Sequence, residues 1–279
     1  MFLWTPGLLP RCDGAVRPVR LHSGGMGGDS VTQVWSCGGG TQSAAIAALI
    51  VQGRLPKPDI AAIVDTGRER SSTWEYMDGT IVPALSSVGV DMHRVPQEGY
   101  AHWGLAKGES RSILLPMFTD EGKLNAFCSN EWKRRVLQRW LREHSVDQCD
   151  VWIGISLDEM KRVRAPKEKW YQERYPLIFD LKPPMRRGDC VKLVEQMGWP
   201  TPPRSSCWCC PNMGDREWRD VKENYPEDFE KAVQLEREIR RTDAGLWLHK
   251  RRIPLDMVDI ESQLDMFDAA VCATGMCWV

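Results

Sequence analysis

No stretch of this 279-residue sequence is an uninterrupted apolar run approaching the ~20 residues of a membrane-spanning helix, so no transmembrane segment and no membrane partner is expected. Net charge is almost absent as well. The 37 Lys and Arg are matched by 38 Asp and Glu, which excludes a uniformly basic nucleic-acid coat. There is no internal repeat and no low-complexity tract. A secretory signal pattern is also missing: the apolar stretch Phe2–Leu9 is broken by Pro6, and Arg11, Arg17 and Arg20 stand where a cleavage region belongs. The ten cysteines therefore read as reduced thiols, metal ligands or catalytic groups of a cytoplasmic protein, not as a disulfide framework.

What is present is enough for a core. With 42% apolar and 27% charged residues the chain should fold as a globule. Its length fits one main domain with an appended region. Residues 1–30, with six glycines and three prolines, read as a flexible leader. The charge balance hides an asymmetry: residues 131–204 carry 16 basic and 11 acidic side chains, residues 205–279 carry 10 and 15. A basic middle suits an anionic substrate.

After the leader the hydrophobic pattern alternates. Strands are expected at Val31–Trp35, Ile60–Val64, Val88–Val95 and Val151–Ile155. Helices are expected at Thr41–Gln52 (apolar nearly all round, hence buried), near Ser72–Leu85, and at Asn130–His144, with a charged helix near Glu227–Arg241. Strands separated by helices predict an α/β, doubly wound, mainly parallel sheet over residues 31–203, followed by a Cys-rich helical region at 204–279. In such sheets ligands bind at the carboxyl ends of the strands. The informative residues are then the glycine turn after the first strand, Asp65-Thr66-Gly67 after the second, and Ser156-Leu157-Asp158-Glu159 after the fourth.

Three glycines between a strand and a buried helix let backbone N–H groups approach a ligand, and the helix start adds about half a positive charge. Phosphate is the natural guest; a tight turn needing only backbone freedom is the bland alternative. The turn is not a Walker A loop, because no Gly-Lys-Ser/Thr follows, and it lacks Gly-x-Gly-x-x-Gly spacing. Ser36-Cys37-Gly38-Gly39-Gly40-Thr41-Gln42-Ser43 resembles the PP-loop of the adenine-nucleotide alpha-hydrolase superfamily, Ser-Gly-Gly-x-Asp-Ser. More narrowly the chain resembles the phosphoadenosine phosphosulfate (PAPS) reductase family, in its phage and bacterial branch. Further matching stretches follow in the same order: Asp65-Thr66-Gly67, Trp152 to Glu159, Arg174-Tyr175-Pro176-Leu177, Asp189-Cys190 and Thr201-Pro202-Pro203.

The resemblance implies a Rossmann-like fold and an enzyme using ATP or an adenosine phosphosulfate, with magnesium as a further option. It assigns Ser36, Gly38, Gly39, Gly40, Gln42 and Ser43 to phosphate, Asp65 and Thr66 to the adenosine or ribose, and Arg162 and Lys169 to phosphate or sulfate. Asp158, Glu159 and Arg162 are the catalytic candidates. Two departures stand out. Gln42 occupies the family's Asp position and Gly38 its Ser position, and the reductases' Glu-Cys-Gly-x-His motif is absent.

Cys207-Trp208-Cys209-Cys210 contains a Cys-x-x-Cys spacing that lets Cys207 and Cys210 reach one metal. Cys128 and Cys190 are the expected partners. Four thiolates suit zinc or a [4Fe–4S] cluster, and the resemblance favours the cluster. Cys209 competes for the same roles. Cys12, Cys37 and Cys149 read as small buried hydrophobes, Cys272 and Cys277 as a terminal pair, and His249 as an acid/base candidate by its ordinary pKa. Trp132, Trp140, Trp152 and Trp218 read as core. Two readings remain open here. One is an adenylating enzyme that releases pyrophosphate, or a sulfur-transfer or redox enzyme, acting on a nucleic-acid or small-molecule acceptor and served by a thiol reductant or sulfur-donor protein. The other is a non-catalytic, zinc-stapled nucleotide- or nucleic-acid-binding protein.

Overall fold

The computed structural model describes residues 31–107, 112–165 and 168–260; the leader, Cys12, Cys272 and Cys277 lie outside them. Five strands form one parallel sheet: β1 (Thr32–Cys37), β2 (Ile60–Asp65), β3 (Met92–Pro96), β4 (Cys149–Ile153) and β5 (Tyr171–Arg174), in the order β3-β2-β1-β4-β5. The chain runs outward from β1 through β2 and β3, then returns to place β4 on β1's other edge. That reversal opens a crevice at the carboxyl ends of β1 and β4, where ligands bind in doubly wound sheets.

Side-chain alternation along each strand sorts residues between two faces. Trp35, Ala61, Ile63 and Trp152 face helix α1 (Thr41–Val51) and the helix over residues 71–86, α2. Helix α4 (Arg187–Gln196) closes the same layer, packing Cys190, Leu193 and Val194 into it. On the other face Val34, Ile60, Ala62, Val64 and Val151 meet Val136, Leu137, Trp140 and Leu141 of α3, residues 130–143. α1 is buried over its whole circumference, as its sequence requires. The strand expected at Val88–Val95 forms only from Met92, because Val88 to Val90 close the end of α2 against Leu85.

A second core sits beside the sheet. It joins Leu114, Leu115, Met117 and Trp132 to Trp218 and Val221 of α5 (Asp215–Asn224), Ala232 and Val233 of α6 (Pro226–Thr242), and Leu246 to Ile260. Two short antiparallel ribbons, Ala106–Lys107 with Ser112–Ile113 and Phe118–Thr119 with Gly122–Lys123, lie in this part, and Phe118 bridges Trp247. Leu114, Leu115, Met117 and Trp132, which precede residue 203, thus pack with the residues that follow it. Trp132, Trp140, Trp152 and Trp218 are all buried, as expected. No helix among the described residues is long and apolar enough to cross a membrane.

Candidate functional site

α1 begins with no side chain over its first turn: Gly40 holds the cap position, no cap hydrogen bond forms and no acidic residue follows. Its leading N–H groups and the helix dipole are thus left to a ligand. Ser43 shapes the turn from inside by accepting the Gly38 N–H at 2.8 Å. Gly154, after β4, lies against this turn; a Cβ there would come within 3.2 Å of Gln42 Cβ.

A cavity opens on this turn. One wall is Ser36, Cys37, Gly38, Gly40, Gln42 and Ser43. The other carries Ile153, Tyr171 and Glu173 from β4 and β5, with Ile155 and Tyr175 just after them. Four cations line it: Lys133, Arg134, Arg162 and Arg164. Lys133 and Arg134 are delivered by α3, whose first turn, Asn130–Arg134, is wound as a π-helix. Such turns re-aim side chains, often at functional sites. Arg134 pairs with Glu173 (2.9 Å) and Glu168 (3.3 Å), and Arg162 with Glu159 (2.5 Å).

Lys133 also belongs to a second group. Its ammonium lies 2.8 Å from Glu69 Oε1, which sits on the loop after β2. That loop pairs with the cysteine segment: Glu69 bridges Cys207, and the Trp208 N–H donates to the Arg68 carbonyl at 2.9 Å. Just upstream, the Ser205 hydroxyl donates to the Gly38 carbonyl, and Ser205 lines the cavity. The segment from Ser205 to Cys210 thus runs from the glycine turn to Lys133. Burial works against the charge on Lys133, but Glu69, with Cys207 and Cys128 in electrostatic reach, holds its pKa above the usual value. Burial and Glu69 push the Cys207 thiol well up, opposed by Lys133. Glu69 Oε2 is buried with no hydrogen-bond partner among the described residues.

Of the expected ligand contacts, Ser36, Gly38, Gly40, Gln42, Ser43 and Arg162 line the cavity. Gly39 does not; it turns the chain at φ +72° beneath the loop. Glu159 adjoins the site through Gln42, whose amide donates to it at 2.8 Å. The remaining residues are placed elsewhere, each for a local reason. Asp65 pairs with Arg94 at 2.9 Å and accepts the Gly67 N–H. Thr66 is buried against Glu69. Asp158 accepts the Arg187 N–H at 2.5 Å and pairs with Arg186, which commits it to the start of α4. Lys169 is exposed in the turn before β5. Lys133, Arg134, Arg164, Glu173, Tyr175 and Ser205 went unread in the sequence.

The expected four-thiolate set does not assemble. Cys190 is buried with Leu193 and Val194 in the sheet-side core, and burial raises its pKa to about 12. Cys128, Cys207 and Cys210 pack instead against the second core, around the buried Cys209. Among the described residues no three His, Cys, Asp or Glu side chains are arranged to hold a metal ion. Among the described residues the expected set of four is thus not preformed, because Cys190 lies outside the group that Cys128, Cys207 and Cys210 make with Cys209. Around the cavity both oxygens of Glu159 accept from Gln42 and Arg162, and both of Glu173 from Arg134 and the Tyr175 hydroxyl. Cys37 and Cys149 are buried, their thiols raised by burial to about 11 and about 12.

His249 is also structural. It is fully buried, 2.9 Å from Asp215, and its other ring nitrogen accepts the Arg251 N–H. Burial lowers its pKa below 6.5, against the pull of Asp215. Burial raises Asp215, but His249, Lys250 and Arg251 more than offset this and hold it below its usual value. Both groups bind protons more readily unfolded; the His249 part of the stabilisation is present above the unfolded histidine pKa and lost as pH falls through the lower folded value, and the Asp215 part is lost only in the carboxylate range. The thermal midpoint is expected to fall as pH drops below about 6.5. A His249→Gln variant should show a flatter decline between pH 6.5 and 5, and an unchanged slope would remove His249 from the account.

Fold and cavity together define a doubly wound α/β protein with a cavity on its glycine turn and a cysteine-bearing loop at the cavity's edge. No family model matches the chain, and no curated protein sequence matches it. Among solved structures it is similar to the U34-tRNA thiolase NcsA from Methanococcus maripaludis with its [4Fe-4S] cluster. The identity is 17%, over 82% of this chain and 73% of that one, with a TM-score of 0.41. A likeness at that level assigns no role to any residue here.

Proposed function

We propose that this protein is a nucleotide-using enzyme that activates an acceptor with ATP and serves sulfur chemistry through its thiol loop. The observation that carries this reading is the double placement of Lys133, on the wall of the glycine-turn cavity and within electrostatic reach of Cys207 and Cys128. An anion on the glycine turn and a sulfur on the loop would meet at one ammonium. In the activating step an acceptor oxygen attacks the α-phosphorus, the α–β bridge bond breaks and pyrophosphate leaves. The N–H groups of the turn, Ser43 and Lys133 stabilise the charge that develops. A sulfur nucleophile then displaces AMP from the acceptor. With an adenosine phosphosulfate in the same cradle, a cysteine thiolate would take the sulfo group as the nucleotide phosphate leaves, and a second thiol, from the thiol reductant, would release sulfite as a disulfide forms. The acceptor is a nucleic-acid base or a small molecule, and the sulfur comes from a donor protein or thiol.

The test is product analysis on the full chain. ATP-dependent pyrophosphate release, reduced at least about tenfold by Lys133→Met, is expected. Sulfite from a phosphosulfate without pyrophosphate from ATP would replace the adenylating version by a reductase. Neither product, with nucleotide still bound, would leave a binding protein.

A further inference from the structure

The four cations of the cavity are not equivalent. Lys133, Arg134 and Arg162 each meet a carboxylate: Glu69, Glu173 with Glu168, and Glu159. Arg164 lines the same cavity with no carboxylate in salt-bridge contact among the described residues. Its side chain is exposed, yet its backbone is fixed: the Arg164 N–H donates to the Tyr175 hydroxyl at 3.1 Å. That hydroxyl donates to Glu173 at 2.9 Å, and Glu173 accepts from Arg134 at 2.9 Å. A guanidinium left uncompensated on a braced wall has its charge available for a ligand.

Sheet order says where that ligand charge must lie. The glycine turn follows β1, whereas Tyr175 follows β5, two strands away across β4. Strands stand ~4.8 Å apart, so the two anchor points are separated by roughly 10 Å. One phosphate seated on the turn does not span that distance, but a chain of phosphates with an arginine side chain reaching to meet it does. We propose that Arg164 is the second anion-holding residue of the cavity. It receives the far phosphate of a nucleoside di- or triphosphate whose near phosphate rests on Gly38, Gly40 and Ser43. The ligand class is therefore a nucleoside polyphosphate, not a monophosphate. This inference rests on the nucleotide reading above and narrows it.

Calorimetric titration of the full chain with AMP, ADP and ATP, with and without magnesium, decides it. Arg164→Met is expected to weaken ATP binding about tenfold to a hundredfold, the worth of a charge-assisted hydrogen bond. ADP should lose less and AMP should stay within about twofold. Arg164→Lys should restore part of the ATP affinity, and it carries the test if the methionine variant does not fold. ATP affinity unchanged in both variants, or AMP weakened in the same proportion as ATP, would overturn the proposal; the second anion would then belong to the acceptor. Absence of binding by any nucleotide to the unaltered protein would overturn the nucleotide reading itself, and this inference with it.

Discussion

Replacing Lys133 by methionine is expected to slow turnover steeply and to destabilise the protein, and the two losses can be separated. Glu69 is buried and Lys133 is its only salt-bridge partner among the described residues, so the single variant strands a carboxylate next to Thr66 and the cysteine segment. Breaking a buried pair from one side costs about 3–5 kcal/mol. The double variant Lys133→Met, Glu69→Gln removes the stranded charge and should recover most of that stability. It should not recover activity, because the cavity still lacks the ammonium that faces both the glycine turn and the thiol loop. A loss of about 10²–10³ in kcat is the scale for one electrostatic donor at a reacting phosphate. Urea unfolding and pyrophosphate release, measured on the single and double variants, check the two halves. Full activity in the refolded double variant would reduce Lys133 to a packing role.

That prediction depends on a residue the sequence did not single out, and the reason is physical. Lys133 and Arg134 sit in a stretch whose apolar spacing reads as an ordinary amphipathic helix, with charges on a solvated face. The π-wound first turn redirects them toward the cavity, and no composition or period announces such a turn. β5 was equally hidden. Tyr171-Gln172-Glu173-Arg174 is four residues long, mostly polar and at the sheet edge, where no continuous apolar run is required. By contrast, α1 was legible because burial on all sides leaves a long apolar run, and three consecutive glycines mark the turn before it. Asp158 misled for a different reason: it follows β4, where ligand contacts belong, but it meets the first N–H groups of α4. Cys190 misled because cysteine spacing records separation along the chain and not the face of the helix on which the thiol lies.

Two adjacent glycines of the loop are expected to fail in different ways when given a methyl group. Gly39 has φ +72°, and a Cβ there would stand 2.7 Å from Thr73 Cγ2. Gly39→Ala therefore carries the left-handed cost of about 1–2 kcal/mol, plus an overpacking cost of about 1–3 kcal/mol. Thr73→Ser removes the offending methyl, so the double variant should regain the packing part and keep the backbone part. Gly40 has an ordinary extended backbone, and its added Cβ would meet Ser205 Cβ at 3.0 Å and Ser205 N at 3.3 Å. Its neighbour is not the core but the segment that leads from the glycine turn to Cys207. Gly40→Ala should shift that segment and cost little stability, while nucleotide affinity and turnover fall together. Thermal melts beside ATP titrations distinguish the two outcomes. A Gly40→Ala protein that melts normally, binds ATP normally and releases pyrophosphate at the usual rate would show that Ser205 and the cysteine loop merely cover the glycine turn. A Gly40→Ala protein that binds ATP but turns it over slowly would place the defect in the contact between nucleotide and thiols, which is where Lys133 stands.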